Sequence, residues 1–238
     1  MNGKKRAILF DKDGTLIHYN TIWPDAIRAM IPLFREKFAV KKNVLDDQLL
    51  SQLGLNGQLV NDSTPIASGT SNNIAYVLNQ ALETSHDDVL SFVRDYFYQY
   101  TIANQDKIQA IGNIKDLFTN LKAQGYTLGV ITADDYESTI FTIKHLKIDE
   151  LIEFVATGDR YKAKPASEAM TSFSSELGFD PDQILFVGDS IIDMQFGKHF
   201  RTGIAVLSGV GLREELMEYT DYCYQTIHDI PYDTFFTK

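Results

Sequence analysis

Aspartates stand in pairs at two places in the chain, and each pair follows a short apolar run. Asp11 and Asp13 come directly after the run that ends at Phe10, and Gly14 follows them. Residues two apart in an extended segment project to the same side, so both carboxylates can face one site. One ionised carboxylate can attack as a nucleophile while the other acts as acid or base, provided that their surroundings differ. This spacing predicts a carboxylate-based catalytic site.

The second pair, Asp189 and Asp193, lies behind the apolar run 184–187, and Gly188 precedes it. An interval of four residues corresponds to about one helical turn, so these two side chains can also face a common crevice. Ligands of open parallel sheets bind outside the carboxyl ends of the strands, which is where both pairs are expected. The two pairs are therefore predicted to meet.

Two further positions come at the ends of apolar segments. Thr132 follows the run 127–131, and its hydroxyl, with the backbone N–H groups of the next turn, suits the oxygens of a phosphoryl group. Lys164 precedes Pro165, which favours an extended residue before it and predicts a helix from Ala166. This arrangement aims the lysine away from the helix and towards the crevice.

Convergence of these groups would concentrate excess negative charge, because only Lys164 opposes four carboxylates. Two unit charges about 4 Å apart repel by roughly 4 kcal/mol at an effective dielectric near 20. Such a cluster must shift its pKa values or bind a hard cation, and oxygen ligands with room for water and phosphate suit Mg²⁺. The predicted magnesium ligands are Asp11, Asp13, Asp189 and Asp193.

Apolar runs that end in turn or polar residues predict the strands. They are continuous rather than alternating, as expected for strands that are covered on both faces, and they lie at 7–10, 127–131, 154–156, 184–187 and 203–207. Helical periodicity separates the later runs, at 114–121, 140–146 and 166–177. The alternation predicts an α/β core with a parallel sheet between two layers of helices.

Residues 17–104 differ from the rest because helical patterns dominate them. These patterns lie at 23–34, 44–53, 71–82 and 87–100, and no strand is predicted among them. We therefore predict a discontinuous core, 1–16 and 105–238, interrupted by an all-helical cap domain, 17–104. Below, residues 17–104 are called the insert.

The overall composition argues against several partners. The net charge is -10, from 32 acidic and 22 basic residues, so neither nucleic acid nor a membrane is expected as a partner. Cys223 is the single cysteine and cannot form an internal disulfide, and no targeting segment is recognisable. Both observations favour a cytoplasmic protein, whereas oligomeric state leaves no signal in the sequence.

In chain order, these segments form four motifs: the first is 11–16, the second is Thr132, the third is Lys164 with Pro165, and the fourth is 188–194. The ordered set closely resembles the haloacid dehalogenase superfamily, in the branch with a helical cap inserted after the first motif. The resemblance covers essentially the whole chain and implies a Rossmann-like three-layer core. It implies that Asp11 attacks phosphorus to form an aspartyl-phosphate. Asp13 would protonate the leaving oxygen and later activate water, while its backbone carbonyl binds the metal.

The resemblance also implies roles for the remaining motif residues. Thr132 would hold the phosphoryl group, and Lys164 would neutralise the nucleophile and the transferring group. Asp189 would be a magnesium ligand, with Asp193 as a ligand or a support. Many relatives carry asparagine where this chain has Ala133, so substrate binding at Ala133 must come from the backbone.

Among the activities of this superfamily, Asp13 and the acidic fourth motif favour phosphoryl transfer over carbon–halogen cleavage. The pattern, including 63–70, looks most like phosphoglycolate phosphatases, so the predicted substrate is a small phosphorylated metabolite such as phosphoglycolate. A β-phosphoglucomutase-like enzyme and a non-catalytic binding protein on the same fold are alternatives. A phosphonatase would need a cap lysine, for which Lys37, Lys41 and Lys42 are candidates.

Substrate choice depends on which side chains of the insert meet the site, and the sequence does not reveal that contact. Trp23 is predicted to anchor the first helix of the insert, and a role in a lid stays open. Polar candidates for substrate contact are Asn20, Thr21, Ser68, Thr70 and Asn72.

Overall fold

The computed structural model describes residues 5–38, 45–57, 59–81 and 88–236. Within these ranges the strands are β1 Arg6–Phe10, β2 Leu55–Asn56, β3 Leu59–Val60, β4 Tyr126–Ile131, β5 Phe154–Ala156, β6 Ile184–Gly188, β7 Thr202–Val206 and β8 Cys223–Tyr224. The α-helices are α1 Trp23–Phe38, α2 Asp46–Leu53, α3 Ser71–Ala81, α4 Asp88–Ala103, α5 Ile114–Ala123, α6 Tyr136–His145, α7 Glu168–Leu177, α8 Ile191–Gly197 and α9 Arg213–Leu216.

One sheet organises the core, with its described strands in the order β5-β4-β1-β6-β7-β8. Every neighbouring pair in it is parallel, which confirms the predicted α/β core. From β1 the chain builds outward through β4 and β5, and it then returns to the other side of β1 for β6, β7 and β8. Sheets with such a reversal bind ligands at the carboxyl ends of the strands beside it. Strand β8 was not among the sequence predictions.

The two faces of the sheet carry separate apolar clusters. Ile8 and Phe10 of β1 belong to a buried cluster with Phe118 of α5, whereas Leu9 belongs to a second one with Phe173 of α7. Alternate residues of the same strand are thus covered by helices on opposite sides. This three-layer arrangement explains why the strands are continuous apolar runs.

The register of the central strands places the predicted motifs at one edge. Phe10 pairs with Val130 of β4 on one side and with Val187 of β6 on the other. The ladder continues one step further, because the Asp11 N–H donates to the Val187 carbonyl at 2.8 Å. The first, second and fourth motifs therefore leave the sheet at the same level.

Helices α1 to α4 correspond to the four predicted helices of the insert, although residues 44, 82 and 87 at their predicted ends lie outside the described residues. The expectation of no strand in the insert is wrong in detail, because β2 and β3 form a short antiparallel pair. Asn56 and Gly57 begin the connecting turn, and the φ of +61° at Gly57 suits such a turn. In the core, α7 begins at Glu168, slightly later than the predicted Ala166.

The insert has a buried apolar cluster of its own, which includes Met30, Phe34 and Leu78. Its two connections to the core run side by side. The His18 N–H donates to the Gln109 carbonyl at 2.9 Å, and residues 17 and 110 form an antiparallel bridge. The division into domains at residues 16/17 and 104/105 stays a prediction. No helix in the described ranges combines the length and apolar character of a membrane span.

Candidate active site

The loop after β1 brings Asp11 to the sheet edge and turns the chain back at once. The Gly14 N–H donates to the Ile17 carbonyl at 2.7 Å, and the φ of Gly14 is +90°, a value that favours glycine. A Cβ atom at this position would collide with the carboxylate of Asp189. Glycine is therefore needed here both for the turn and for the close approach of the first and fourth motifs.

Lys164 forms ion pairs with a carboxylate of the first motif and with one of the fourth motif. Its Nζ lies 2.7 Å from Asp11 Oδ1 and 2.6 Å from Asp193 Oδ1, and it donates to the Ile131 carbonyl at 3.3 Å. Burial acts to lower the pKa of Lys164, but the two carboxylates outweigh this effect and raise the pKa above its ordinary value. The lysine is therefore a permanent positive charge between them.

Asp193 is held in place by the first turn of α8. Its Oδ2 accepts hydrogen bonds from the Ser190 N–H at 3.1 Å and the Ser190 hydroxyl at 2.7 Å. The Ser190 hydroxyl in turn accepts from the Asp193 N–H at 3.2 Å, so the two residues cap the helix reciprocally. This cap directs one oxygen of Asp193 into the helix terminus and leaves Oδ1 to Lys164.

Asp189 sits deeper, between two loops. Its Oδ2 accepts from the Val210 N–H at 2.8 Å, and its Oδ1 accepts from the Thr15 hydroxyl at 3.3 Å. A side chain at Gly209 would collide with this carboxylate, as would one at Gly14. The two glycines together make the space that Asp189 occupies.

Asp11, Asp189 and Asp193 form a three-carboxylate group. One oxygen from each lies within 4.8 Å of the others, and all three residues are buried. Burial, with Asp193 and Asp13 adding to it and Lys164 opposing it, raises the pKa of Asp11 to about 7. Burial and the two neighbouring carboxylates raise the pKa of Asp189 well above its ordinary value. Surplus negative charge on buried oxygen donors fits a divalent cation.

Asp13, the fourth predicted ligand, has its carboxylate outside this group. Its Oδ2 lies 2.6 Å from the Nζ of Lys12, which is also 3.2 Å from Asp134 Oδ2. Only 1% of Lys12 is exposed, so this ion pair is shielded from water. The expectation that Lys164 alone opposes the carboxylates is wrong, because Lys12 is a second buried cation.

Sequence reasoning missed Lys12 and Asp134 as members of the site. The available signal was their position, Lys12 between two motif aspartates and Asp134 directly after Thr132 and Ala133. Burial, against the opposing charge of Lys12, raises the pKa of Asp134 to about 7. This carboxyl group can therefore change its protonation state near neutral pH.

Trp23 of the insert contacts Asp13 directly. Its indole Nε1–H donates to Asp13 Oδ1 at 2.5 Å, and its ring centroid lies 5.2 Å from the Nζ of Lys12. The ring packs edge-on against Phe97, with centroids 5.5 Å apart. The core therefore holds one oxygen of Asp13 through Lys12, and the insert holds the other through Trp23.

Thr132 directly follows β4 at the same edge and is buried. Its N–H donates to the Ala156 carbonyl at 2.9 Å, and its hydroxyl oxygen accepts from the Asp134 N–H at 3.2 Å. The second bond uses a lone pair of the hydroxyl and leaves its hydrogen to donate into the crevice. Ala133 follows on the wall of a cavity between this loop and the insert.

The insert closes over the strand ends through two further polar contacts. The Ser71 hydroxyl donates to Asp135 Oδ2 at 2.5 Å, and Asp62 Oδ2 accepts from the Ile191 N–H at 2.9 Å. Beneath it lies the cavity, of about 60 Å³, with Asp13 and Asp134 among its lining residues.

The polar candidates from the insert do not line this cavity. Asn20, Thr21, Ser68, Thr70 and Asn72 lie outside the lining, which instead includes their neighbours Tyr19, Ala67, Gly69 and Ser71. Of the lysines that a phosphonatase would need, Lys37 lies over the rings of Phe38 and Phe92 and does not line the cavity. Lys41 and Lys42 lie outside the described residues.

Known proteins share this fold along nearly the whole chain. A predicted phosphoglycolate phosphatase from Haemophilus somnus 129PT superposes with a TM-score of 0.71 and 21% identity, covering 98% of this chain and 100% of that one. A β-phosphoglucomutase from Clostridium difficile has a TM-score of 0.67 and 15% identity, covering 97% and 95%.

In sequence, the chain is similar to the pyrophosphatase PpaX. The Bacillus cereus (strain AH820) protein is 23% identical over 206 residues, which are 86% of this chain and 84% of that protein. The Listeria monocytogenes serotype 4b (strain CLIP80459) protein is 23% identical over 203 residues, 85% and 82% of the two chains. The sequence profile of one family, the haloacid dehalogenase-like hydrolases, matches residues 8–207. Since that match spans most of the chain, this protein belongs to the haloacid dehalogenase-like hydrolase family.

Proposed function

We propose that this protein is a magnesium-dependent phosphatase that hydrolyses a small phosphorylated metabolite through an aspartyl-phosphate on Asp11. The observation that carries the proposal is the convergence of Asp11, Lys164 and the fourth motif in one buried group. That group combines a candidate nucleophile, a fixed cation and oxygen donors for a metal, which are the parts that phosphoryl transfer requires.

The proposed metal site consists of the carboxylates of Asp11, Asp189 and Asp193, with the backbone carbonyl of Asp13. The surplus negative charge of the three-carboxylate group supports it, since Lys164 alone leaves that charge unbalanced. When bound, Mg²⁺ would supply positive charge towards the phosphoryl oxygens.

Asp11 attacks phosphorus in this proposal, and the neighbouring side chains orient and neutralise the group in transfer. Lys164, 2.7 Å from Asp11 Oδ1, balances charge as the carboxylate and the dianion approach each other. The free hydroxyl hydrogen of Thr132 donates to a phosphoryl oxygen, and the backbone beside Ala133 completes the cradle. Positioning and charge of this kind supply most of the catalysis in phosphoryl transfer.

Asp13 serves as the acid that protonates the leaving oxygen and then as the base that activates water. Its position supports this role, since it lies beside Asp11 in the chain and also lines the cavity. Lys12 and Trp23 each hold one of its oxygens and thereby set its orientation. Trp23 acts through Asp13 and is a positioning residue.

The similar proteins carry names of phosphoryl chemistry, namely a pyrophosphatase, a phosphoglycolate phosphatase and a β-phosphoglucomutase. The β-phosphoglucomutase makes a phosphomutase the second candidate. A mutase would return the phosphoryl group to a sugar and would require activation by a sugar bisphosphate.

The first prediction concerns the nucleophile. With an aryl phosphate and Mg²⁺, Asp11→Asn should lower kcat by roughly a thousandfold or more, because an amide cannot form the phosphorylated intermediate. Phosphate release is the measurement, and EDTA should abolish it in the unchanged protein.

Asp182→Asn is the matched control, since Asp182 is exposed and precedes β6, at the opposite end of that strand from Asp189, and it should keep the original rate. Full activity of Asp11→Asn would contradict the proposed nucleophile. Hydrolysis that appears only after a sugar bisphosphate is added would favour the phosphomutase.

The second prediction concerns Trp23. Trp23→Phe keeps an aromatic ring against Phe97 but removes the hydrogen bond to Asp13 Oδ1. It should slow hydrolysis of an alkyl phosphate about tenfold and of p-nitrophenyl phosphate much less, because nitrophenolate leaves without a proton. The ratio of the two kcat values is the measurement.

Tyr96→Phe is the control, because it removes one hydroxyl of the insert, bonded to the Ala26 carbonyl at 2.8 Å, without touching Asp13. It should leave the ratio unchanged. Equal slowing of both substrates by Trp23→Phe would assign Trp23 a packing role only.

The third prediction concerns stability without metal. Because the pKa of Asp189 is raised in the folded protein, the folded state binds more protons, and the free energy of unfolding falls as pH rises above 3.8. At pH 8 without metal, Asp189→Asn should therefore raise Tm by about 3 °C, which corresponds to about 1 kcal/mol at this chain length.

This gain should shrink at pH 5, and Mg²⁺ should raise the Tm of the variant less than that of the unchanged protein. The measurement is the Tm of the variant and of the unchanged protein, from thermal unfolding at pH 8 and pH 5 with and without Mg²⁺. A lower Tm of metal-free Asp189→Asn at pH 8 would show that the buried charge is already balanced within the chain.

A further inference from the structure

The cavity beneath the insert has two unlike ends. Its core end is formed by the loops that carry Asp13 and Ala133, whereas its insert end is a wall of large apolar side chains, including Ile27, Ile74 and Phe97. Ile27, Ile74 and Phe97 are buried parts of the apolar cluster of the insert. A ligand that fills the cavity therefore meets carboxylate at one end and hydrocarbon at the other.

The side-chain donors that line the cavity are already used by acceptors of the protein. The Tyr19 hydroxyl donates to the Ile66 carbonyl, the Trp23 indole donates to Asp13, and the Ser71 hydroxyl donates to Asp135. A carboxylate or phosphate placed here would therefore find no free side-chain donor among the described lining residues. Buried anions without such partners are strongly disfavoured.

The charge of the cavity also opposes an anion. Asp13 and Asp134 line it, and none of its described lining residues is basic. The nearby cation, Lys12, lies behind the wall and is paired with both of these carboxylates. An additional negative charge in the cavity would therefore face carboxylates rather than a free cation.

The position and size of the cavity connect it to the reaction. Asp13 belongs both to the first motif and to the lining, so a group in the cavity can receive its proton. Its volume of about 60 Å³ is well below the roughly 150 Å³ of a cavity that holds benzene, so the cavity suits a small group. The cavity is thus suited to the leaving group and not to the phosphoryl group, which belongs beside Asp11 and Lys164.

We infer that the leaving group is a compact, uncharged and mainly apolar alcohol, so that the substrate is the phosphate monoester of a small apolar alcohol. This inference rests on the proposed function. As the bond from Asp11 to phosphorus forms, the bond from phosphorus to the alcohol oxygen breaks, and Asp13 gives its proton to that oxygen. Water then hydrolyses the aspartyl-phosphate and releases inorganic phosphate.

The inferred substrate differs from those in the names of the similar proteins. Phosphoglycolate leaves an anionic glycolate, pyrophosphate leaves a second phosphate, and a hexose phosphate leaves a group rich in hydroxyls. Each would place charge or unmatched polar groups against Ile27, Ile74 and Phe97. The phosphoglycolate expected from the sequence resemblance is therefore disfavoured by the cavity.

The test compares initial rates at saturating Mg²⁺ with 2-methylpropyl phosphate, phosphoglycolate, pyrophosphate and glucose 6-phosphate. We expect kcat/KM for 2-methylpropyl phosphate to exceed each of the others by roughly tenfold or more, because its alcohol buries apolar surface without an unpaired charge. A kcat/KM for any of the other three that equals or exceeds that of 2-methylpropyl phosphate overturns the inference.

A charge change in the lining gives a second readout. Ala67 is half-buried and lines the cavity, whereas its neighbour Ser68 does not. Ala67→Lys should shift the ratio of kcat/KM values towards phosphoglycolate by about tenfold, because the new ammonium group would pair with its carboxylate. Ser68→Lys adds the same charge outside the lining and should leave the ratio unchanged. Equal ratios in both variants would overturn the inference.

Binding separates failure of this inference from failure of the proposed function. Trp23 is the single tryptophan and lines the cavity, so its fluorescence reports occupancy without turnover. 2-Methylpropylphosphonate should bind at least tenfold more tightly than phosphonoacetate. Absence of hydrolysis with this preference intact would refute the phosphatase and leave the inferred ligand chemistry standing. The opposite preference would overturn the inference even in an active phosphatase.

Discussion

Three buried carboxylates at one edge of the sheet carry more negative charge than the single ammonium group of Lys164 can balance. The close approach is possible because Gly14 and Gly209 leave space for Asp189, and because the cap of α8 fixes Asp193. Repulsion in a buried site is costly without a counter-charge. The unbalanced charge therefore lowers stability, and a divalent cation at the proposed metal site would relieve it.

The same edge shows how the insert can take part in chemistry without contributing a nucleophile. Lys12 approaches Asp13 from the core, and Trp23 approaches it from the insert. The orientation of the proposed acid thus depends on contact between the two parts of the chain. Because Trp23 also forms part of the cavity wall, the residue that orients the proposed acid would also contact the proposed leaving group.

The pattern of apolar residues predicted most of the fold, since β1, β4 and β6 are continuous apolar runs covered on both faces and α5 repeats its apolar residues at helical spacing. Strands β2 and β3 were missed because two residues carry no period, although Asn56 and Gly57 signalled a turn. Strand register explains why the motif residues were predictable as a set. The pairing of Lys12 with Asp134 was not, because the direction of a long side chain in a turn depends on tertiary packing.

The most direct test of this account is the location of the metal. Anomalous diffraction from crystals soaked in Mn²⁺, a close substitute for Mg²⁺, would show where a divalent ion binds. The account predicts a single strong peak in contact with Asp11 and Asp189 and beside Asp193. A peak elsewhere, or none at this edge at a saturating concentration, would contradict it.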